Sequence, residues 1–283
     1  MNKMNWLKTI LQPNYWLLSL AAALVALHLT YLSQADEPNL MSLSLLFWLG
    51  IASSIWDRRD KLKLESGVFS TFLGISLIAL ILLRSLAPAG YHIRISPFVS
   101  GLGLCLIASG IKRLHHYWKE LLILGLLVLY PVFSGLLKAI DLSMLTAKFS
   151  AFMLWAAGFN ADREGTQILM PTGRVEVYGA CSGIDSIILM LCISVLFLLI
   201  VPLSRRQQAI CMLVAIVLGF FINSLRVSIL AILVAYSQKS AFDYWHGGDG
   251  SFIFSMISVF LFGTFCWWAY VRHLTVTPNS GEP

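Results

Sequence analysis

Eight apolar runs, each of seventeen residues or more, follow one another along this 283-residue chain, and no other feature restricts its fold as strongly. They are Tyr15 to Leu32, Leu40 to Trp56, Gly67 to Leu83, Ile95 to Ile111, Tyr117 to Leu137, Ile184 to Val201, Ala209 to Tyr236 and Phe252 to Val271. A membrane-spanning helix needs about 20 apolar residues, and ~17 suffice. With 58% hydrophobic and only 12% charged residues, and a mean hydropathy of +0.79, the chain is too apolar for a water-soluble domain. The expected fold is an all-α polytopic membrane protein with about eight transmembrane helices. It forms one integral membrane domain over 1–283, surrounded by lipid bilayer.

The net charge of +6 does not point to nucleic acid, because the basic residues form short clusters between apolar runs rather than one patch. They read as topology signals. One side of the alternating scheme collects twelve Lys and Arg, among them Lys3, Lys8, Arg58, Arg59, Lys112, Arg113, Arg205 and Arg206, whereas the other collects seven. Cytoplasmic loops carry the excess, so both termini are expected in the cytoplasm of a multi-pass protein of the cytoplasmic (inner) membrane. Loops after odd-numbered spans then face outward. Lys3 and Lys8 before the first run, and Ser33-Gln34-Ala35 after it, imitate a signal peptide. A run from Tyr15 to Leu32 exceeds the ~7–15 residues of a signal core, so an uncleaved first span is expected.

The outward region between spans five and six is the most structured. From Lys138 to Phe159, Leu142, Leu145, Phe149, Phe152, Met153 and Ala156 recur at helical spacing, as in an amphipathic helix that lies in the outer interface or dips into it. After the polar stretch Asn160 to Gly165, two strand-like segments, Gln167 to Met170 and Arg174 to Tyr178, flank Pro171-Thr172-Gly173. This reads as a short β-hairpin. It either covers helix ends or delivers Cys181 to the mouth of span six.

Cys181 is the one cysteine of five that stands outside the apolar runs; Cys105, Cys192, Cys211 and Cys266 read as small buried hydrophobes. No C-x-x-C and no Cys/His pair at zinc spacing occurs, so neither a metal site nor a cofactor is expected. A thiol at a helix start faces the partial positive charge of the helix, which favours the nucleophilic thiolate. Ser182 and Gly183 are small, and Gly183 admits a close-approaching backbone. Arg226, 17 residues or ~26 Å beyond the start of span seven, comes near the outer surface at the level of Cys181. A charge within a span is expensive, which makes it functional by default; the alternative is snorkelling to headgroups. Asn223, one turn earlier, orients Arg226 or bonds a substrate. His246 occupies a short outer loop between an aromatic pair and Gly247-Gly248, with Asp243 and Asp249 as candidate partners for its second ring nitrogen. One thiol, one guanidinium and one imidazole at similar depth suit acyl transfer through a thioester.

The run Ala180-Cys181-Ser182-Gly183-Ile184, the Asn223-x-x-Arg226 segment and the single His246 before the last span resemble the exosortase/archaeosortase family. Tyr244-Trp245-His246-Gly247-Gly248, and Asp185 after C-S-G, are most similar to its cyanobacterial exosortase branch. The likeness is clear over a core of about 117–271 and weaker over 15–111, where it rests on hydrophobicity alone. It implies a membrane-embedded cysteine protease or transpeptidase with Cys181, Arg226 and His246 as catalytic residues. Its substrates would be membrane-anchored proteins bearing a C-terminal PEP-CTERM-type sorting signal: a Pro-containing motif, a membrane helix and a basic tail. Many members carry Glu two residues before the cysteine, where this chain has Gly179; Glu176 and Asp185 are the nearby carboxylates. The acceptor nucleophile and the need for an accessory membrane protein stay open.

A transporter using Arg226 to bind an anionic substrate is the principal alternative. It lacks paired half-length segments and a second intramembrane charge. A non-catalytic scaffold would need none of the three residues.

Overall fold

A computed structural model describes residues 13–35, 38–85, 92–137 and 140–272; the expectations for Lys3, Lys8 and Lys138 lie outside them. Seven helices among the described residues are long and apolar enough to cross a membrane: Tyr15–Gln34, Leu40–Asp57, Val68–Ser85, Ile111–Leu137, Gly179–Ile200, Arg205–Ala235 and Gly250–Val271. The expected fourth span is shorter, with Arg94–Ser109 as its apolar helix. Gly110, at φ +72°, ends it two residues before Ile111 by adopting a left-handed conformation that a side chain would resist.

The chain divides into two compact units, Met1–Tyr130 and Pro131–Pro283. The first contains α1 (Pro13–Gln34), α2 (Pro38–Asp57), α3 (Val68–Ser85), α4 (His92–Ser109) and the beginning of α5 (Trp118–Leu137). Large apolar side chains such as Leu49, Phe69, Phe72 and Leu83 point outward, whereas His28, Ser44 and Glu120 are buried. That distribution suits lipid, where small and polar residues glue helices and apolar ones meet acyl chains. His28 Nε2 stands 3.2 Å from Ser44 Oγ, and Glu120 pairs with Arg58.

The second unit holds α6 (Ser143–Ala156), strands β1 (Asp162–Glu164), β2 (Gln167–Met170) and β3 (Gly173–Glu176), then α7 (Ile184–Ile200), α8 (Arg205–Ala235), α9 (Lys239–His246) and α10 (Gly248–Cys266). The expected hairpin is β2–β3, with Met170 opposite Gly173 across Pro171-Thr172. The preceding polar stretch adds β1, which pairs with β2 to make a three-stranded antiparallel sheet in the order β1-β2-β3.

The expected amphipathic helix is α6, and its packing face is Ser143, Thr146, Ala147, Ser150, Ala151 and Leu154. The bulky Leu145, Phe152 and Trp155 are exposed. Small residues let α6 approach α8 closely, and Ser150 Oγ donates to the Ser224 carbonyl at 2.9 Å. Ala147, Ala151 and Leu154 share a core with Ile168 of the sheet, Val177 just after β3, Cys181, and Val227 and Ala231 of α8. The sheet thus rests one face on α6 and α8.

Helix α8 is 31 residues long and opens on a capping box, in which the Ser204 N–H donates to Gln207 Oε1 at 3.0 Å. The loop expected around His246 is itself largely helical, folded into α9.

Candidate active site

The segment leading to Cys181 is bound on every side. Val177 ends the β2–β3 ladder by donating its N–H to the Thr166 carbonyl at 3.0 Å, and a 3-10 turn over Gly179–Cys181 follows. Cys181 N–H donates to Tyr178 O at 2.8 Å, and Ser182 Oγ donates to Gly179 O at 2.7 Å. Asn223 Nδ2 of α8 donates to the Cys181 carbonyl at 3.0 Å, and Thr146 Oγ1 of α6 donates to the Ser182 carbonyl at 2.7 Å. Gly183 then caps α7 with φ +90°. A β-carbon there would be strained by the backbone and would fall 2.8 Å from Asn223 Nδ2, so the C-S-G run requires its glycine.

The thiol of Cys181 is nearly buried, at 7% exposure, and lies beside the imidazole: Sγ and His246 Nε2 are 3.7 Å apart. His246 ends α9, with its ring stacked on Phe242 one turn earlier at 5.1 Å and 10°. Arg226 reaches across from α8, donating from Nη2 to the His246 carbonyl at 2.5 Å and from Nε to the Trp245 carbonyl at 3.4 Å. Arg226 therefore grips the backbone that carries the imidazole. Burial holds His246 below the ordinary imidazole value, the Arg226 charge adds to that, and Asp243 opposes it. The ring is thus neutral near pH 7, with its unprotonated form available to accept a proton.

The sequence-expected residues divide into two groups. Cys181, Arg226 and His246 converge, and Asn223 and Gly183 meet at the cysteine turn, with Asn223 on the Cys181 carbonyl. Ser182 is buried and turned inward onto its own turn. Asp185, in the first turn of α7, accepts a hydrogen bond from Ser134 Oγ. Asp243 lies one turn before His246 and acts on it through charge. Asp249 is in the first turn of α10, and its side chain lies outside the described residues.

Sequence reasoning missed three groups. Tyr178 Oη is 3.3 Å from His246 Nε2, beside the thiol. Phe242 supports the ring, and Thr146 holds the turn. Tyr178 reads as the last residue of a strand, and only its position three residues before Cys181 hints at more. A cleft of about 180 Å³ opens here, lined by residues of β3, α8 and α9 together with Tyr178, Cys181 and His246. Among the described residues no group of three His, Cys, Asp or Glu is arranged to hold a metal ion.

Two comparisons, one with curated proteins and one with solved structures, return no match. A family model, described as transmembrane exosortase, matches residues 35–263. The match begins before the second span, so it takes in most of the first unit, where the sequence resemblance was weakest. It also covers the whole of the Cys181, Arg226 and His246 constellation. The chain belongs to the transmembrane exosortase family.

Proposed function

We propose that this membrane transpeptidase of the exosortase kind works through a thioester on Cys181. The observation that carries the proposal is the 3.7 Å approach of Cys181 Sγ to His246 Nε2, made between residues 65 apart in sequence. His246 accepts the thiol proton as sulfur attacks the scissile carbonyl of the substrate. The tetrahedral intermediate collapses, the C–N bond breaks, and the imidazolium returns that proton to the leaving amine. The acyl group is left as a thioester. An acceptor amine, hydroxyl or water then attacks the thioester, gives its proton to His246, and releases the thiolate.

Arg226 has two roles in this scheme. Its hydrogen bonds to the Trp245 and His246 carbonyls hold the imidazole at the thiol, and its charge favours the anionic sulfur and the developing oxyanion. Asn223 and Thr146 hold the cysteine turn, and Asp243 tempers the field on the imidazole. Asp185, bonded to Ser134, supports the entrance to α7.

The length of α8 supports an outward-facing site. Its 31 residues span about 46 Å, against a hydrocarbon core of about 30 Å. With Arg205 and Arg206 at the cytoplasmic headgroups, Arg226 comes about 31 Å further along, at the opposite boundary. The substrate class that suits this geometry is a protein anchored by one C-terminal helix and a basic cytoplasmic tail, with its PEP-CTERM-type motif just outside the bilayer. Anchoring in the same membrane supplies alignment before any chemistry.

The test is co-expression with a tagged protein bearing such a signal, comparing wild type with Cys181→Ala, Arg226→Ala and His246→Ala. Loss of signal removal in all three, with each protein still in the membrane, is expected. Normal maturation in the Cys181→Ala strain would sink the proposal.

A further inference from the structure

The site has a wall that the chemistry above does not use. Met170 pairs with Gly173 and Ile168 with Val175, and Val177 donates to Thr166, so Gly173, Val175 and Val177 direct their peptide groups at β2. The peptide groups of Arg174 and Glu176 therefore point to the opposite edge of β3, where the sheet has no further strand among the described residues. The cleft lining includes every residue from Arg174 to Tyr178. Side chains of a strand alternate between faces, so a cleft that meets five in succession runs along the edge.

The other walls make this edge a groove that ends at the thiol. Val227, Leu230 and Val234 form one apolar stripe of α8, and Phe242 and His246 border the groove from α9. At its far end Thr172 Oγ1 donates to the Ala235 carbonyl at 2.5 Å, and a β-carbon on Gly173 would lie 2.9 Å from Val234 Cγ1. At its near end stand Val227 and Cys181. The edge from Arg174 to Tyr178 is about 13 Å long at 3.3 Å per residue.

We infer that the substrate segment preceding the scissile bond docks in extended form as a fourth strand on the free edge of β3. This rests on the proposed function and names how that site recognises its substrate. Only an extended segment offers unpaired N–H and C=O groups to the edge; a helix has already paired its own. Direction follows from α8. The substrate's membrane helix enters the bilayer beyond the scissile bond, so the residues before it run outward from Cys181 toward Gly173, and the added strand is parallel to β3. Alternate side chains face Val227, Leu230 and Val234 and are apolar. The intervening ones face away, level with the exposed Arg174 and Glu176 side chains. Proline fits only at positions whose N–H points away from β3.

The test uses the full chain with Cys181→Ala and Glu176→Cys, co-expressed with the tagged substrate carrying single cysteines through the ten residues before its membrane helix. Disulfide cross-links at every second position are expected, at least fivefold stronger than at the positions between. Uniform, helix-periodic or absent cross-linking overturns the strand. A second arm is Glu176→Pro, which removes one edge N–H without touching a β2 hydrogen bond. Maturation at least tenfold lower with Cys181 still alkylated is expected, and maturation within twofold of wild type overturns the docking. Should that variant fail to reach the membrane, the cross-linking pattern decides. If wild type matures the substrate and Cys181→Ala does not, a failed cross-linking pattern removes the docking mode and leaves the enzyme standing. Maturation that ignores Cys181→Ala removes the enzyme itself.

Discussion

Arg58, directly after α2, and Arg226, within α8, are arginines placed at or in a transmembrane helix, one in each compact unit, and their partners differ. Arg58 pairs with the buried carboxylate of Glu120, which also accepts from Ser54 Oγ at 2.6 Å, and it donates to the His116 carbonyl at 2.9 Å. Its charge is cancelled. Arg226 holds two backbone carbonyls, and among the described residues no carboxylate pairs with it. Its charge is left to act on neighbours, and it contributes to keeping His246 below the ordinary imidazole value. An arginine matched by a carboxylate is neutralised within its pair, whereas one matched only by carbonyls keeps its field on its neighbours.

Removing each arginine in turn has the largest expected effects. Arg226→Ala should lower maturation about 100- to 1,000-fold, in the range for loss of a charge-stabilising donor, while protein level and insertion hold. Arg226→Lys should recover little of it, because an ammonium on a flexible stem lacks the rigid planar fork that reaches both carbonyls at once. Arg58→Ala should instead cost stability, because Glu120 is left buried and unpaired. With the Arg58 side chain 33% exposed, the cost falls at the lower end of the range for a broken buried ion pair, about 3 kcal/mol. Thermal denaturation of the detergent-solubilised protein measures it, with maturation per folded molecule within twofold of wild type. A large catalytic loss on Arg58→Ala at full stability would erase the distinction between the two arginines.

What the sequence disclosed follows from which interactions are local. Span positions were legible because a run of apolar residues is its own signal, and the β2–β3 turn because Pro171 and Gly173 mark it. Strand β1, Asp-Arg-Glu, has no strand-like composition and exists through its pairing with β2. The face of α6 was not legible from apolar periodicity. In lipid the bulky side chains turn outward, and Ser143, Thr146, Ala147 and Ser150 make the contact. At the site, Cys181, Arg226 and His246 could each be picked out by residue type and setting. Arg226's grip on the Trp245 and His246 carbonyls could not, since backbone acceptors are the same at every position. Tyr178 was hidden for a related reason: its role depends on a 3.3 Å approach to a residue 68 positions later.

Smaller effects sharpen the picture on the Arg226 side. Tyr178→Phe should slow maturation about fivefold, the value of one net hydrogen bond near 1 kcal/mol. An unchanged rate would make the tyrosine a bystander. The pH profile should show an acid limb below the ordinary imidazole value of 6.5, since burial and Arg226 both disfavour the imidazolium. As pH falls through that limb the ring takes up a proton and stops accepting one from the thiol. Asp243→Asn removes the charge that favours the imidazolium, so it should move the limb to still lower pH. A shift toward higher pH would reverse the assigned sign.

The thioester proposed on Cys181 can be trapped directly. Membranes holding the protein and a tagged sorting-signal substrate are quenched in acid and digested, and peptides containing Cys181 are analysed by mass spectrometry. A substrate fragment joined to Cys181 through a hydroxylamine-labile bond is predicted, accumulating when acceptor is limiting and absent from Cys181→Ala. Substrate matured at the wild-type rate by the Cys181→Ala protein, with no adduct on any cysteine, would contradict the account.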